Sequence, residues 1–217
     1  MTGHEISPNL EPRPGSVYSS SGLDLPGLDV AFYPGFFSPE ESDRLQEFLY
    51  ATTGWRQETI ERDDLTIPLP RLTAWYGDPG RTYTYSSITM WPQPWTEPLL
   101  EIKRRIEPTS GAAFNSVLLN LYRDGRDGVA WHTDNEPELG ETPVIGSVSF
   151  GDTRTFVLRH KKTKDLRVEL ELTHGSYLIM RGTTQRLYQH QVPRTERPVG
   201  PRINATFRWI RPVEETA

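Results

Sequence analysis

The feature that most constrains this chain is a series of about seven short apolar or alternating segments after residue 114. They cover 116–122, 144–150, 155–159, 167–172, 176–180, 187–192 and 202–210. Turn-forming stretches such as Asp-Gly, His-Gly and Arg-Pro-Val-Gly-Pro separate them. Strands at this spacing are typical of β sandwiches and barrels rather than of βαβ units. We therefore predict a β core over about residues 114–212.

Two helical segments precede this core. Ser38 and Glu41 form an S-x-x-E capping box, which predicts a helix over 39–51. Apolar residues at helical spacing predict a second helix over 97–106, which we expect Pro108 and Gly111 to stop. The predicted fold class is therefore α+β, mainly β with flanking helices.

Length and composition limit the domain count and the chemistry. The 217 residues suit one domain, because chains usually divide only beyond roughly 250–300 residues. Residues 1–24 are rich in Pro, Ser and Gly without periodicity, so we expect a flexible N-terminal tail before a single domain over 25–217. The chain has no Cys, which excludes thiolate metal sites and disulfides. Any metal must be held by His, Asp or Glu.

Charge and hydropathy bear on partners and location. The formal net charge of −5 gives no overall attraction to nucleic acid, so such binding would need a local cationic patch. No stretch approaches the ~18 apolar residues of a membrane span. The N-terminus also lacks the basic and apolar regions of a secretory signal. We expect no membrane association and a cytoplasmic location, or a nuclear one in a eukaryote.

One candidate metal site begins with His132-Thr133-Asp134. Residues i and i+2 of an extended chain project to the same side, so the His132 imidazole and the Asp134 carboxylate can share one ion. His190, on another predicted strand, would complete a set of two His and one carboxylate, the arrangement of non-haem Fe(II) sites. The other three histidines, His4, His160 and His174, are interpreted as non-ligands.

A second candidate site lies on the last predicted strand. Alternation places Arg202, Asn204, Thr206 and Arg208 on one face. Surface salt bridges are the simpler interpretation, but two Arg facing one way also suit a dicarboxylate held by guanidinium forks.

Two further segments could contact nucleic acid. Residues 68–95 are rich in Trp and Tyr, and Tyr83 and Tyr85 alternate as a platform for base stacking would, although aromatic residues in strands usually belong to the core. The segment 154–167 is dominated by Lys and Arg. Such a segment is most often a solvated hairpin, but here it would supply the local positive charge that the whole chain lacks.

Several segments, taken together and in order, resemble the AlkB family of 2-oxoglutarate/Fe(II) dioxygenases over about residues 28–212. They are NSVLLNLYRDGRDGVAWHTDNEPELG, PVIGSVSFGDTRTFVLRHKK, LTHGSYLIM, YQHQVPRT and PRINATFRW. The upstream PRLTAWYGDPGRTYTYSSITM is similar to the nucleotide-recognition lid of the nucleic-acid-repair branch of that family. The resemblance implies a double-stranded β-helix (jelly roll) core with a lid over about 68–95.

The resemblance also implies residue roles. His132, Asp134 and His190 match the iron ligands, which are also the catalytic residues. The positions that match contacts to 2-oxoglutarate are Asn120, Tyr122, Arg202, Asn204 and Arg208; among them, Arg202 and Asn204 match the distal carboxylate and Arg208 the C1 carboxylate.

Four positions match substrate contacts in the repair branch. Tyr85 matches the aromatic residue that stacks on a flipped base, and Tyr83 and Arg71 match lid residues near the nucleotide. Glu136 matches the acid that approaches an exocyclic amine. Asn135 departs from the pattern, since this branch usually has a second acid there.

The activity implied by the resemblance is oxidative demethylation with Fe(II), 2-oxoglutarate and O₂. The expected substrates are N1-methyladenine and N3-methylcytosine in methylated DNA, with RNA as a further candidate, and the expected products are succinate, CO₂ and formaldehyde. We expect a monomer. One alternative is a 2-oxoglutarate/Fe(II) hydroxylase acting on a protein or a small molecule. Another is a jelly-roll binding module with a degenerate metal site, which the intact His-x-Asp…His and Arg-x-Asn-x-Thr-x-Arg sets argue against.

Overall fold

Two β-sheets make up the core of the protein, and their strands are numbered in chain order. The structure is a computed structural model and describes residues 9–10, 18–19, 25–62, 65–80, 83–85 and 88–211. The larger sheet has seven strands in the spatial order β2 (Tyr18–Ser19), β3 (Asp29–Tyr33), β14 (Ser176–Arg181), β11 (Ile145–Gly151), β16 (Arg202–Arg208), β9 (Ser116–Tyr122) and β6 (Leu72–Gly77). The smaller sheet has the order β1 (Asn9–Leu10), β13 (Arg167–Leu172), β12 (Arg154–His160), β15 (Tyr188–Val192) and β10 (Val129–His132).

Two hairpins and three helices complete the described elements. The hairpins are β4 (Thr59–Arg62) with β5 (Leu65–Pro68) and β7 (Tyr83–Tyr85) with β8 (Ile88–Met90). The helices are α1 (Pro39–Thr52), α2 (Glu97–Ser110) and α3 (Thr184–Leu187). No helix in the described ranges is long and apolar enough to cross a membrane.

The first predicted helix is confirmed, and the second is longer than predicted. In α1 the Glu41 N–H donates to Ser38 Oγ at 3.2 Å and the Ser38 N–H donates to Glu41 Oε2 at 2.9 Å, which is the expected capping box. In α2 the helix continues through Pro108 and ends at Gly111, whose φ of 65° is left-handed. Of the two predicted stop residues, Gly111 ends the helix and Pro108 lies inside it, where packing of the buried Ile106 outweighs the one backbone donor that proline removes.

Strand β16 shows why the alternating segment at the end of the chain matters. Ile203, Ala205 and Phe207 pack into the apolar cluster that also contains buried residues of α1 and α2. The alternate residues of β16 face the space between the two sheets and line a pocket there. One strand therefore anchors the helices on one face and supplies polar groups on the other.

The core extends beyond the predicted residues 114–212. Strand β3 pairs with β14, and β6 pairs with β9, so part of the predicted 68–95 lid is an edge strand of the larger sheet. In the predicted tail, β1 pairs with β13 and β2 with β3, which contradicts a flexible chain at those two places. The remainder of residues 1–24, including His4, lies outside the described residues.

Candidate metal centre and cosubstrate pocket

Two strands of the smaller sheet bring the three predicted iron ligands together. His132 ends β10 and pairs directly with His190 on β15, and Asp134 follows two residues later. One ligand atom of each residue lies within 4.8 Å of those of the other two, and Asp134 and His190 are buried. Within the described ranges, this is the one group of three or more His, Asp or Glu side chains that could hold a metal ion.

The ring of His132 is oriented for a metal. Its Nδ1 lies 2.8 Å from the Ala130 carbonyl oxygen, which can only accept, so Nδ1 carries the proton. The lone pair of Nε2 is then available, and this atom is 3.8 Å from Asp134 Oδ1. A ligating imidazole usually donates its other N–H to a backbone carbonyl or a carboxylate in this way. The local backbone has therefore selected the tautomer that a metal needs.

Asp134 is held from two sides. Arg208 Nη2 donates to Asp134 Oδ2 at 2.8 Å, and Gln185 Oε1 accepts from the Asp134 backbone N–H at 3.0 Å. The Arg208 guanidinium and the two imidazoles keep the pKa of the Asp134 carboxyl well below its usual range, outweighing the opposite effect of burial. The carboxylate is therefore ionised and has Oδ1 directed towards His132.

The two imidazoles are neutral at physiological pH. Burial, together with the neighbouring His132, lowers the pKa of His190 to about 3. Burial also lowers the pKa of His132, against the opposing attraction of Asp134. The neutral ring is the form that binds a metal. Two neutral imidazoles and one carboxylate suit Fe(II) and leave coordination positions open for a cosubstrate and O₂.

Arg202 is the side chain in the pocket best suited to a carboxylate ligand. It is 1% exposed, and its Nη2 donates to Ser149 Oγ at 2.9 Å. Its Nε and Nη1 find no hydrogen-bond partner in the described part of the chain, and its guanidinium carbon is 5.1 Å from the centroid of the Tyr122 ring. Burial lowers the pKa of Arg202 to about 10, so it remains charged at neutral pH. Nε and Nη1, two nitrogen donors of a buried cation, are thus available to the distal carboxylate of 2-oxoglutarate.

Asn204 lines the same pocket, and its amide is bonded within the protein. Its Nδ2 donates to Ser147 Oγ at 2.8 Å and to the Val148 carbonyl at 3.2 Å, and its Oδ1 accepts from Thr206 Oγ1. Both amide N–H groups are therefore used within the protein. The predicted contact of Asn204 with 2-oxoglutarate stays a prediction.

Arg71 lies in the pocket with a predicted cosubstrate residue. It is buried directly before β6, and its Nε donates to Asn120 Oδ1 at 2.8 Å. Both residues line the pocket together with His132. The predicted contact of Arg71 with a nucleotide stays a prediction.

The other predicted substrate residues lie at or beyond the rim. Glu136 precedes a short 3-10 turn, Pro137–Leu139, and its side chain is half-buried and does not cap that turn. Tyr83 and Tyr85 are at i and i+2 on β7, but their side chains lie outside the described residues. Their contacts with substrate remain predictions.

His174 and His160, two of the histidines interpreted as non-ligands, lie outside the metal centre. His174 Nδ1 accepts from the Gly151 N–H at 2.8 Å, and His160 Nδ1 accepts from the Thr163 N–H at 3.0 Å.

Sequence reasoning did not identify Gln185, Ser147 and Ser149 as residues of the site. Each bonds to a site residue that is remote in the chain. It also placed Arg154 in a basic segment, whereas this side chain is buried and donates to the carbonyls of Asp127 and Pro193 at 2.8 and 2.7 Å. A glutamine in a short polar stretch before a strand carries no signal of a metal-site role.

A groove of about 400 Å³ is lined by six Lys or Arg side chains and lies on the face of the smaller sheet opposite the metal pocket, because its strand residues alternate with those of the pocket. We call it the cationic groove. Trp131, directly before His132, is covered by Arg159, whose guanidinium carbon is 3.7 Å from the indole centroid. The other charged residues that line it are Arg154, Lys164, Arg167, Arg194, Arg197 and Glu169.

The jelly-roll core with two His and one carboxylate beside a buried arginine defines a dioxygenase of the Fe(II) and 2-oxoglutarate class. Comparison with known proteins agrees, since the 2OG-Fe(II) oxygenase superfamily matches residues 29–208. The chain belongs to this superfamily and, within it, to the AlkB family. The residues present fit Fe(II), 2-oxoglutarate and O₂.

Individual relatives support this assignment. The human alpha-ketoglutarate-dependent dioxygenase alkB homolog 3 is 47% identical over 192 residues, which cover 84% of this chain and 66% of the relative. The chain thus spans just under two thirds of that relative. The human DNA oxidative demethylase ALKBH2 is 35% identical over 228 residues, covering 97% of this chain and 87% of the relative. The solved structure titled "The structure of OsALKBH1" has a TM-score of 0.61 at 19% identity, covers 83% of this chain and 96% of that chain, and supports the fold alone.

Proposed function

We propose that this protein is an oxidative demethylase that removes N-methyl groups from N1-methyladenine and N3-methylcytosine in DNA. The observation that carries the proposal is the convergence of His132, Asp134 and His190 in one pocket with the buried, partly unpaired Arg202. A metal centre alone suits many reactions. A metal centre beside a carboxylate-binding cation suits a 2-oxoglutarate-dependent one.

The reaction assigns separate tasks to the residues. His132, Asp134 and His190 would hold Fe(II), which when bound activates O₂ for insertion into a methyl C–H bond. Arg202 orients 2-oxoglutarate through the distal carboxylate. One oxygen atom of O₂ enters succinate as CO₂ leaves, and the other becomes the hydroxyl of an N-hydroxymethyl group. That group releases formaldehyde when the N–C bond breaks and the base recovers its nitrogen lone pair or proton.

The cationic groove supports nucleic acid as the substrate. A base in a duplex cannot reach an enclosed metal site, so the target must be flipped or presented in a single strand. The protein must then hold the flanking backbone at its surface, which requires local positive charge. The cationic groove supplies such charge on the smaller sheet, the sheet that also carries His132 and His190. The relative named DNA oxidative demethylase supports the same choice.

Both proposed lesions are cationic and carry an exocyclic amine, which gives Tyr85 and Glu136 their proposed roles. An aromatic face attracts a cation by about 0.5–2 kcal/mol, and a carboxylate can accept from the amine. Cationic lesions should therefore react faster than neutral N3-methylthymine, and Glu136→Gln and Tyr85→Ala should each narrow the difference. Single-turnover rates on oligonucleotides with each lesion measure this difference. If a variant slowed all lesions by the same factor, the residue would contribute stacking but no recognition of the charge.

The test of the proposed function is formaldehyde and succinate release with Fe(II), 2-oxoglutarate and a methylated oligonucleotide, compared with the cosubstrate alone. We expect stoichiometric formaldehyde that depends on the lesion, and none from Asp134→Ala. Succinate without lesion-dependent formaldehyde would contradict the proposal and favour a hydroxylase of a protein or small molecule.

The finer parts of the proposal are RNA as a second substrate, a monomeric state without membrane association, and a cytoplasmic location, or a nuclear one in a eukaryote. They rest on the sequence expectations. Methylated ribo-oligonucleotides, gel filtration and cell fractionation test them separately.

A further inference from the structure

A second positively charged depression is lined in part by the loop that follows Asp134. We call it the loop recess; it has a volume of about 480 Å³. The residues that line it are Asn135, Pro137, Gly140 and Glu141 of the loop, Lys161 after β12, Gln185 and Arg186 in α3, and Arg211 after β16. Four segments remote in the chain therefore meet at one place beside the metal centre.

Cations outnumber carboxylates in the loop recess. Lys161 Nζ donates to the Gln185 carbonyl at 3.0 Å, which fixes its position at the wall. Arg186 and Arg211 are exposed, and their side chains make no hydrogen bond or ion pair with any residue that the structure describes. Glu141 is the one carboxylate among the described residues that line the recess. Three positive charges thus face one negative charge.

Three other exposed arginines have carboxylate partners. Arg44 and Arg104 pair with Glu101 and Glu97, and Arg126 pairs with Asp124. No carboxylate in the described part of the chain pairs with Arg186 or Arg211. Their guanidinium groups can therefore bind an anion.

The backbone makes room for one of these arginines. The guanidinium of Arg211 lies against Gly140, where an added Cβ would be 2.5 Å from Nη2. Gly140 also has a φ of 80°, which favours glycine. A side chain at this position would displace Arg211 from the recess. The glycine therefore allows the Arg211 guanidinium to pack against the loop.

The loop recess and the cationic groove are lined by neighbouring stretches of the same segments. Arg159 lines the groove, and Lys161, two residues on, lines the recess. Trp131 lines the groove and Asn135 the recess, on either side of the metal ligands His132 and Asp134. Each depression is therefore lined by a residue that adjoins a metal ligand in the chain.

We propose that the loop recess binds phosphodiester groups of the substrate strand beside the extruded nucleotide, through Arg186 and Arg211. This inference rests on the proposed function and adds the surface that holds the strand. The guanidinium fork matches the geometry of two phosphate oxygens. The simpler interpretation is that both arginines are only solvated.

The experiment measures binding of a fluorescein-labelled, unmodified 15-nucleotide single strand of DNA by anisotropy from 50 to 200 mM salt. The variants are Arg186→Ala, Arg211→Ala and their combination, with Arg104→Ala on α2 as the matched exposed-arginine control. Each phosphate contact on a single strand contributes about 0.7 to the salt slope of log K. We expect the double variant to bind roughly 5- to 30-fold more weakly, with a slope lower by about 1.4. Arg104→Ala should change neither quantity.

Each result decides one question. An unchanged Kd and salt slope in the double variant would overturn this inference, while lesion-dependent formaldehyde release would leave the proposed function standing. Equal weakening by Arg104→Ala would also overturn it, because the effect would then come from net charge alone. A wild-type protein that neither binds the strand nor releases formaldehyde from methylated oligonucleotides would overturn the proposed function itself. Gly140→Ala, which should displace Arg211, provides an independent variant and should weaken binding as Arg211→Ala does.

Discussion

Arg208 donates to Asp134 across the space between the two sheets, with Nη2 2.8 Å from Oδ2 and both side chains less than a tenth exposed. The pair joins the last strand of the larger sheet to the loop after β10 of the smaller one. A buried charge is tolerated only when it is paired. The metal-binding carboxylate is therefore part of the contact between the sheets.

Loss of the Arg208 partner should destabilise the metal-free protein. Arg208→Met leaves the Asp134 carboxylate buried without its cation, which typically costs about 3–5 kcal/mol. The double variant Arg208→Met/Asp134→Leu removes both charges and should recover at least half of that loss. Urea unfolding of the metal-free proteins measures both effects. Equal destabilisation by the single and double variants would show that packing, and not the charge, is responsible.

Each metal ligand should be required for metal binding as well as for turnover. His132→Ala, Asp134→Ala and His190→Ala each remove one of three ligand atoms, so we expect Mn(II) affinity, measured by electron paramagnetic resonance, to fall at least tenfold. His174→Ala is the matched control, since His174 hydrogen-bonds to Gly151 instead. Normal Mn(II) binding in His190→Ala would exclude His190 as a ligand.

Arg202 should determine the KM for 2-oxoglutarate. A guanidinium fork to a carboxylate is worth roughly 1.5–3 kcal/mol, so Arg202→Ala should raise this KM roughly 10- to 150-fold. Arg202→Lys should recover only part of the loss, because an ammonium group lacks the planar fork. Asn204→Ala should instead lower the unfolding free energy by about 1–3 kcal/mol with a smaller change in KM, since its amide bonds only to the protein. A larger KM effect from Asn204→Ala than from Arg202→Ala would reverse these two assignments.

Gln185 should act as a positioning residue for Asp134. Gln185→Met keeps the approximate volume but removes the acceptor of the Asp134 N–H, and a buried unsatisfied donor costs about 1–3 kcal/mol. We expect weaker Mn(II) binding and an altered visible spectrum of the Co(II)-substituted protein, with little change in the KM for 2-oxoglutarate. A spectrum identical to that of the wild type would show that the loop keeps its position without Gln185.

The imidazoles of the buried His190 and the partly buried His132 should make the metal-free protein sensitive to acid. The pKa of His190 is about 3 in the folded state and near 6.5 in the unfolded chain, so below pH 6.5 the unfolded state binds the proton that the folded state excludes. Stability should therefore fall with decreasing pH, by up to about 1.4 kcal/mol per pH unit for each such histidine. In unfolding experiments between pH 7 and pH 5, His190→Gln should lose less stability than the wild type. An equal loss would place the acid-sensitive group elsewhere.

The sequence by itself determined those features that depend on local periodicity. The i, i+2 spacing of His132 and Asp134 places both on one side of an extended chain, and alternation along β16 separates Arg202 and Arg208 from the apolar residues. The capping box at Ser38 is equally local. These features are readable because a strand or a helix end imposes the same geometry in any fold.

Only the tertiary structure decided how the polar groups of the site pair with one another. The bonds from Arg71 to Asn120, from Asp134 to Gln185 and from Arg208 to Asp134 join residues 49, 51 and 74 positions apart. No local pattern predicts such partners, because they depend on which strands become neighbours and in what register. The same pairing bonds the Asn204 amide to Ser147 and Val148, and it places Arg71 in the wall of the pocket. Burial between the sheets determines these hydrogen bonds, because a polar group removed from water generally bonds to a partner that the packing places beside it.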